Sequence, residues 1–212
     1  MLNVQRPWDA RLARRLVAPL IGTWVRPNHL TTFRLLVGLA AAAAFLPGSY
    51  GWSNIAALLL VLSNFLDHAD GELARMSGKT SRIGHIYDLT SDAAVTILVF
   101  IAIGVGAVKP GIDLSGPPPA LGLLAGSAIA LIFYLRMRIE ELLGKSATRQ
   151  ASLRGFETED VLYLFPLATL SNALVPMLLA AAIGAPLYAM WVVFEYQRVL
   201  RIDRRMATGV VG

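Results

Sequence analysis

The sequence predicts an all-α protein: a six-helix transmembrane bundle with an N-terminal amphipathic surface helix. Three observations carry this. The 212-residue chain is 56% hydrophobic and only 16% charged, well under the roughly 25% charge of a soluble domain. Apolar runs recur at close to the ~20 residues that cross a bilayer as a helix. Lys and Arg gather at the N-terminus, 75–82, 136–154 and 198–205, whereas the turns near 47–51 and 184–186 carry none and 109–117 carries only Lys109. Positive charge marks the cytosolic side, so both termini are expected there.

The elements follow in order. Over residues 6–18, Trp8, Leu12 and Leu16 repeat every four positions, with Arg11, Arg14 and Arg15 on the other face. That pattern predicts a basic amphipathic helix lying on the membrane surface. Residues 1–26 are read as this helix and a linker, 27–207 as the six-span domain and 208–212 as a tail. The first span runs from about His29 to Leu46 and stops at Pro47-Gly48. The second covers Trp52 to Arg75, and the third Ser81 to Val108. Pro117 to Pro119 open the fourth, which reaches Leu143. The fifth runs from about Asp160 to Gly184, and Pro186 opens a sixth reaching Ile202. Polar groups inside spans avoid lipid, so Asn172 and Glu195 are expected to face the bundle.

The chain has no cysteine, which excludes disulfides and thiolate metal sites. The basic start lacks an apolar core with a cleavage site, so no signal peptide is expected. The net charge of +5 fits basic rims against anionic lipid headgroups. A nucleic-acid partner is not expected, because no soluble basic module is present.

The chemistry is concentrated in DHADGELARMSGKTSRIGHIYDLTSD, residues 67–92, between two apolar runs. Helical spacing puts Asp67 and Asp70 on one face, with Gly71 and Ala74 beside them. Gly84, Asp88 and Asp92 form a second stripe at four-residue intervals. A short loop makes the two helices antiparallel neighbours, so the stripes can face each other. Four carboxylates that close repel unless cations neutralise them. All-oxygen ligation selects a hard ion, Mg²⁺ or Mn²⁺, and four aspartates can hold two ions. Such ions keep positions for phosphate oxygens, the glycines admit a bulky group, and Arg75 is placed to pair with phosphate. The competing reading is an interhelical salt-bridge network of the aspartates with Arg75, Lys79 and Arg82.

The pattern Asp67-x-x-Asp70-Gly71-x-x-Ala74-Arg75, eight residues, then Gly84-x-x-x-Asp88-x-x-x-Asp92 resembles the CDP-alcohol phosphotransferase signature in every defined position. Pro27-Asn28 and Thr31 before the first span extend the likeness more loosely. His85 and Tyr87 depart from it, standing where apolar residues are more usual. The resemblance implies transfer from a CDP-linked alcohol, often CDP-diacylglycerol, to a small alcohol or lipid acceptor, with release of CMP. It implies metal ligation by Asp67, Asp70 and Asp88, with Asp92 completing a second site and serving as general base. Gly71, Ala74, Arg75 and Gly84 would shape the nucleotide site, with Ser81 and Thr31 as further candidates. A homodimer is implied too, and the expected location is the bacterial inner membrane with the site facing the cytosol.

For the acceptor, Arg136, Arg138 and Arg154 are the basic candidates, set against the plainer reading of basic residues touching headgroups. Glu157, Glu159 and Asp160 are read as a cap on the fifth span. Two rivals use similar acids. A membrane prenyltransferase would leave the glycine and arginine positions unexplained. A divalent-cation transporter would want its carboxylates near the midplane, usually with repeated halves.

Overall fold

The computed structural model describes residues 8–108, 117–143 and 165–207, and every element among them is helical. In chain order these are α1 (Trp8–Val17), a short 3-10 helix (Ala18–Leu20), α2 (Pro27–Phe45), α3 (Tyr50–Ser77), α4 (Arg82–Gly106), α5 (Pro118–Leu143), α6 (Phe165–Leu170) and α7 (Leu174–Ala207). Three stretches are long and apolar enough to cross a bilayer: Arg82–Gly106, Pro118–Leu143 and Leu174–Ile202. Helix α3 has the length, at 28 residues, but its last third carries acids and Arg75.

The ends of these helices have local causes. Pro27 opens α2, where its fixed φ suits a first turn and its missing N–H would go unbonded anyway. The Arg26 N–H donates to His29 Nδ1 at 3.3 Å, so His29 serves that helix start. Gly78 closes α3 in the left-handed conformation at φ 66°. Ser81 caps α4, its Oγ accepting the Gly84 N–H at 3.0 Å.

Helix α1 lies on α3 through Ala13 and Val17, which bury against Ala69 and Leu73. Leu12 and Leu16 stay exposed. The predicted apolar stripe is therefore divided: its small neighbours meet protein, and its leucines face outward.

Small residues bring the longer helices together. A Cβ at Gly38 would lie 2.6 Å from a Val95 methyl, pressing α2 on α4. On the other side of α4, a Cβ at Gly122 would lie 2.1 Å from the Phe100 carbonyl oxygen. Phe45, Val99, Phe100, Ile103, Phe165 and Leu178 fill the core between these helices. A second cluster, including Ile132, Ile139 and Val192, joins α5 to α7.

The first four predicted spans match α2 to α5 within a few residues. The last break does not. The chain turns at Ser171–Ala173, with Asn172 at φ 53°, and α7 runs straight through Gly184 and Pro186. Asparagine tolerates the left-handed conformation better than most residues, and transmembrane helices accommodate a proline when neighbours pack around it. Asn172, expected to face the bundle, is exposed in this turn. The new turn carries no Lys or Arg, so the alternation of charge along the chain is preserved.

Candidate active site

The end of α3 and the beginning of α4 carry the two acidic stripes, and α2 lies beside both. From α2, Arg34 enters between them with its side chain 4% exposed. Its Nη1 pairs with Asp67 Oδ1 at 3.1 Å and donates to Asp92 Oδ1. Its Nη2 donates to Asp88 Oδ1 at 2.6 Å and to the Asp88 carbonyl at 3.1 Å. Its Nε lies 3.5 Å from Asp70 Oδ2. Thr31, one turn earlier, donates its hydroxyl to that same Asp70 oxygen at 2.7 Å. The Ser63 hydroxyl donates to the Arg34 carbonyl at 3.0 Å, tying α3 to α2 at this level.

The four aspartates therefore do face one another. Asp67, Asp70 and Asp88 each offer an oxygen within 4.8 Å of the others, an arrangement able to hold a metal ion. Asp92 stands outside that trio and joins it through Arg34. It is also the most open of the four, its side chain 40% exposed against 6% for Asp70. Beneath Asp92 a cavity of about 30 Å³ is lined by Arg34, Ser63, Asn64 and Thr96, with Val99 and Phe100 at its apolar end.

A salt bridge is present, but not the one anticipated from Arg75, Lys79 and Arg82. Arg75 pairs with Glu72 at 3.0 Å and stays largely exposed. Among the described residues the ion-pair partner of the acids is Arg34, and one guanidinium against four carboxylates leaves a negative excess there. Carboxylate oxygens in negative excess are the donor set hard divalent ions take, so the residues fit such ions.

The other anticipated positions surround this centre. Gly71 faces the Arg75 guanidinium, where an added Cβ would sit 3.4 Å away in ordinary contact. Ala74 is half-buried on the same side of α3. At Gly84 a Cβ would lie 2.9 Å from Asn28 Oδ1 and 3.0 Å from Ser81 Oγ, so its bareness lets the first turn of α4 meet the start of α2. Ser81 acts as the cap of α4. Tyr87 meets Thr32, hydroxyl to hydroxyl at 3.0 Å.

The basic candidates separate. Arg138 pairs with Glu141, which lies 3.6 Å from His85 on the first turn of α4. Arg136 is between α5 and α7, paired with Glu195 at 3.0 Å and bonded to the Tyr188 hydroxyl at 2.8 Å. Arg154, Glu157, Glu159 and Asp160 lie outside the described residues.

Sequence reading passed over Arg34, although a signal was available. It interrupts an apolar run three residues after Thr31. An ionisable residue in such a run is by default a functional one.

These features define an integral membrane protein of packed helices with a carboxylate centre suited to divalent ions and the phosphates they bind. The family model for CDP-alcohol phosphatidyltransferase matches residues 24–195, and the chain belongs to that family. It is an enzyme of the CDP-alcohol phosphotransferase class, which is divalent-metal dependent and joins a CDP-linked lipid donor to an alcohol acceptor. The chain is 32% identical to an archaetidylinositol phosphate synthase of Pyrococcus horikoshii over 99% of this chain and 100% of the relative. It is 33% identical to a CDP-diacylglycerol–glycerol-3-phosphate 3-phosphatidyltransferase of Cereibacter sphaeroides, over 43% of this chain and 42% of that protein. A cholinephosphotransferase 1 of Danio rerio is 35% identical over 40% of this chain and 24% of its own length.

Proposed function

We propose that this protein transfers the lipid-bearing phosphate of a CDP-linked lipid, CDP-diacylglycerol or a close analogue, to a hydroxyl of inositol phosphate, releasing CMP. The observation that carries the reaction class is the group of four aspartates from α3 and α4 converging in negative excess. The acceptor rests on the full-length likeness to a synthase whose name specifies archaetidylinositol phosphate.

Asp67, Asp70 and Asp88, with Asp92 completing a second position, would hold two ions, Mg²⁺ or Mn²⁺. Bound there, the ions would spread the charge of the diphosphate and make CMP a better leaving group. The chain's own residues do the rest. Asp92, the most open carboxylate, takes the proton of the acceptor hydroxyl. That oxygen forms a bond to the phosphorus distal to cytidine as the bond from that phosphorus to the bridging oxygen breaks. The electron pair leaves with CMP. Gly71, Ala74 and Gly84 keep side-chain bulk away from the cytidine diphosphate, and exposed Arg75 is free to turn from Glu72 towards a phosphate. Thr31 steadies Asp70, and Ser81 sets the start of α4. Arg138, near the same end of α4 through Glu141 and His85, is the acceptor-facing cation whose placement supports the reading best, and Arg154 is kept as a candidate from the sequence. Arg136 is read as a clamp between α5 and α7.

In this reading the chain crosses the membrane six times, with α4, α5 and α7 among the spans. The protein sits in the bacterial inner membrane with both termini and the site facing the cytosol, α1 rests on the membrane surface, and the enzyme works as a homodimer. The test is CMP release by the purified protein with CDP-diacylglycerol, Mg²⁺ or Mn²⁺, and a panel of inositol phosphate, glycerol phosphate, serine and inositol. CMP formed with inositol phosphate above the other acceptors is the expected result. Equal release with serine and glycerol phosphate would remove the acceptor assignment, and no release with any of them would remove the donor.

A further inference from the structure

The geometry points to Arg34 as a built-in cation that competes with divalent metal for the aspartate oxygens and thereby weakens loading of the second ion until a phosphate substrate is bound. This rests on the aspartates being the metal site. Arg34 is then a positioning residue that acts through the carboxylates.

Three features support it. Arg34 faces one oxygen of each aspartate, hydrogen-bonded to Oδ1 of Asp88 and Asp92 and paired by charge with Oδ1 of Asp67 and Oδ2 of Asp70. A guanidinium N–H and a metal ion cannot use the same lone pair. Where the Asp70 oxygen already accepts from Thr31, little capacity is left over. Next, the guanidinium is placed by the fold. The contact at Gly38, one turn further along α2, brings α2 against α4, and Ser63 holds the Arg34 carbonyl. The charge therefore stays in the cluster when metal arrives. Finally, the buried Nε makes no hydrogen bond. An arginine fork has five N–H donors in fixed directions; Nη1 and Nη2 are hydrogen-bonded to Asp92 and Asp88 while Nε is not, so the fork is only partly matched to the acids around it.

Charge counting makes the consequence specific. With all four carboxylates ionised, and counting these aspartates and Arg34 alone, a first divalent ion meets three net negative charges, four against one. A second ion then meets only one. Without the guanidinium it would meet two. Arg34 thus bears hardest on the second ion. A diphosphate restores negative charge to the site and makes that ion welcome, so metal loading and substrate arrival become coupled.

The experiment is a Mn²⁺ titration of the full-length protein in detergent after chelator treatment, with free Mn²⁺ read by electron paramagnetic resonance, with and without CDP. Wild type is expected to bind a second Mn²⁺ weakly alone and more tightly with CDP. Arg34→Gln is expected to bind that ion at least about tenfold more tightly without nucleotide, from the loss of one like charge a few ångströms away. The gain on adding CDP should shrink accordingly. Arg34→Lys, which keeps the charge, should stay near wild type. A purely supporting role for Arg34 predicts the opposite sign, since a disordered set of ligands binds metal more weakly. Unchanged or weaker binding in Arg34→Gln, with normal binding in wild type, overturns this proposal alone. No Mn²⁺ bound by any form overturns the metal-site reading and this proposal together. Should Arg34→Gln not fold, ¹⁵N-arginine spectra of wild type decide. The guanidinium signal missing from Arg34→Lys should shift as Mg²⁺ is added, and a signal that stays in place overturns the competition.

Discussion

Arg34 and Arg136 belong to opposite halves of the bundle, and each is drawn in from the surface by acidic and polar neighbours. Around Arg34, on α2, stand four carboxylates from α3 and α4. Around Arg136, on α5, stand one carboxylate, Glu195, the Tyr188 hydroxyl, and the ring faces of Tyr188 and Trp191, whose centroids lie 5.7 and 5.3 Å from the guanidinium carbon. Among the described residues the second arrangement sets one charge against another, and the rings add cation–π attraction. It clamps α5 to α7. The first is mismatched by design of the fold, and the excess negative charge has to be met by something that binds. Among the described residues, an excess of acid marks the half proposed to react, and a pairing of opposite charges marks the half that holds.

Chelation is the strongest test of this contrast. Treatment with EDTA should reduce CMP release to background while circular dichroism shows the helices intact, and Mg²⁺ or Mn²⁺ should restore it. Full activity in EDTA would mean that the acid excess is not a metal centre, and the contrast would collapse.

Next in size is Asp92→Asn, which keeps the shape of the side chain and removes the proposed base. Turnover should fall by about 10²- to 10⁴-fold, the usual contribution of a general base, with CDP binding retained. Turnover at the wild-type rate would show that the proton leaves by another route.

In the other half, Glu195→Gln should act on stability. Removing the charge of Glu195 should cost about 1–3 kcal/mol, the usual worth of a hydrogen bond to a charged group. A lower melting temperature with little change in CMP turnover is the expected pattern. A loss of turnover comparable to that of Asp92→Asn would place α5 and α7 in the chemistry and blur the two halves into one.

The smallest effect is expected from Tyr188→Phe. It removes one hydrogen bond to Arg136 and keeps the ring, so about 0.5–1.5 kcal/mol of stability should be lost. Thermal unfolding of the two variants beside wild type would rank the ion pair above the hydroxyl, and a reversed order would show that the rings and the hydroxyl carry the clamp.

Much of this was legible in the amino-acid order. Composition announces the membrane, and the apolar runs locate α2 to α5. The break near the C-terminal end was misplaced because glycine and proline at 184–186 are strong signals in water. Packed in a helical membrane protein, the same pair is carried inside α7, and the turn falls to Asn172. The acids were legible for a local reason. Spacings of three and four residues settle which side chains share a face before any neighbour is known.

What the sequence by itself determined is the pair of acidic stripes and their antiparallel joining, because helical period and a short loop act over few residues. Only the tertiary structure decided which cation stands among them. Arg34 lies 33 residues before Asp67 and 58 before Asp92 along the chain. No periodicity connects positions that far apart. The link is made by the bare backbone at Gly38, where α2 settles against Val95 of α4 and carries the guanidinium between the stripes.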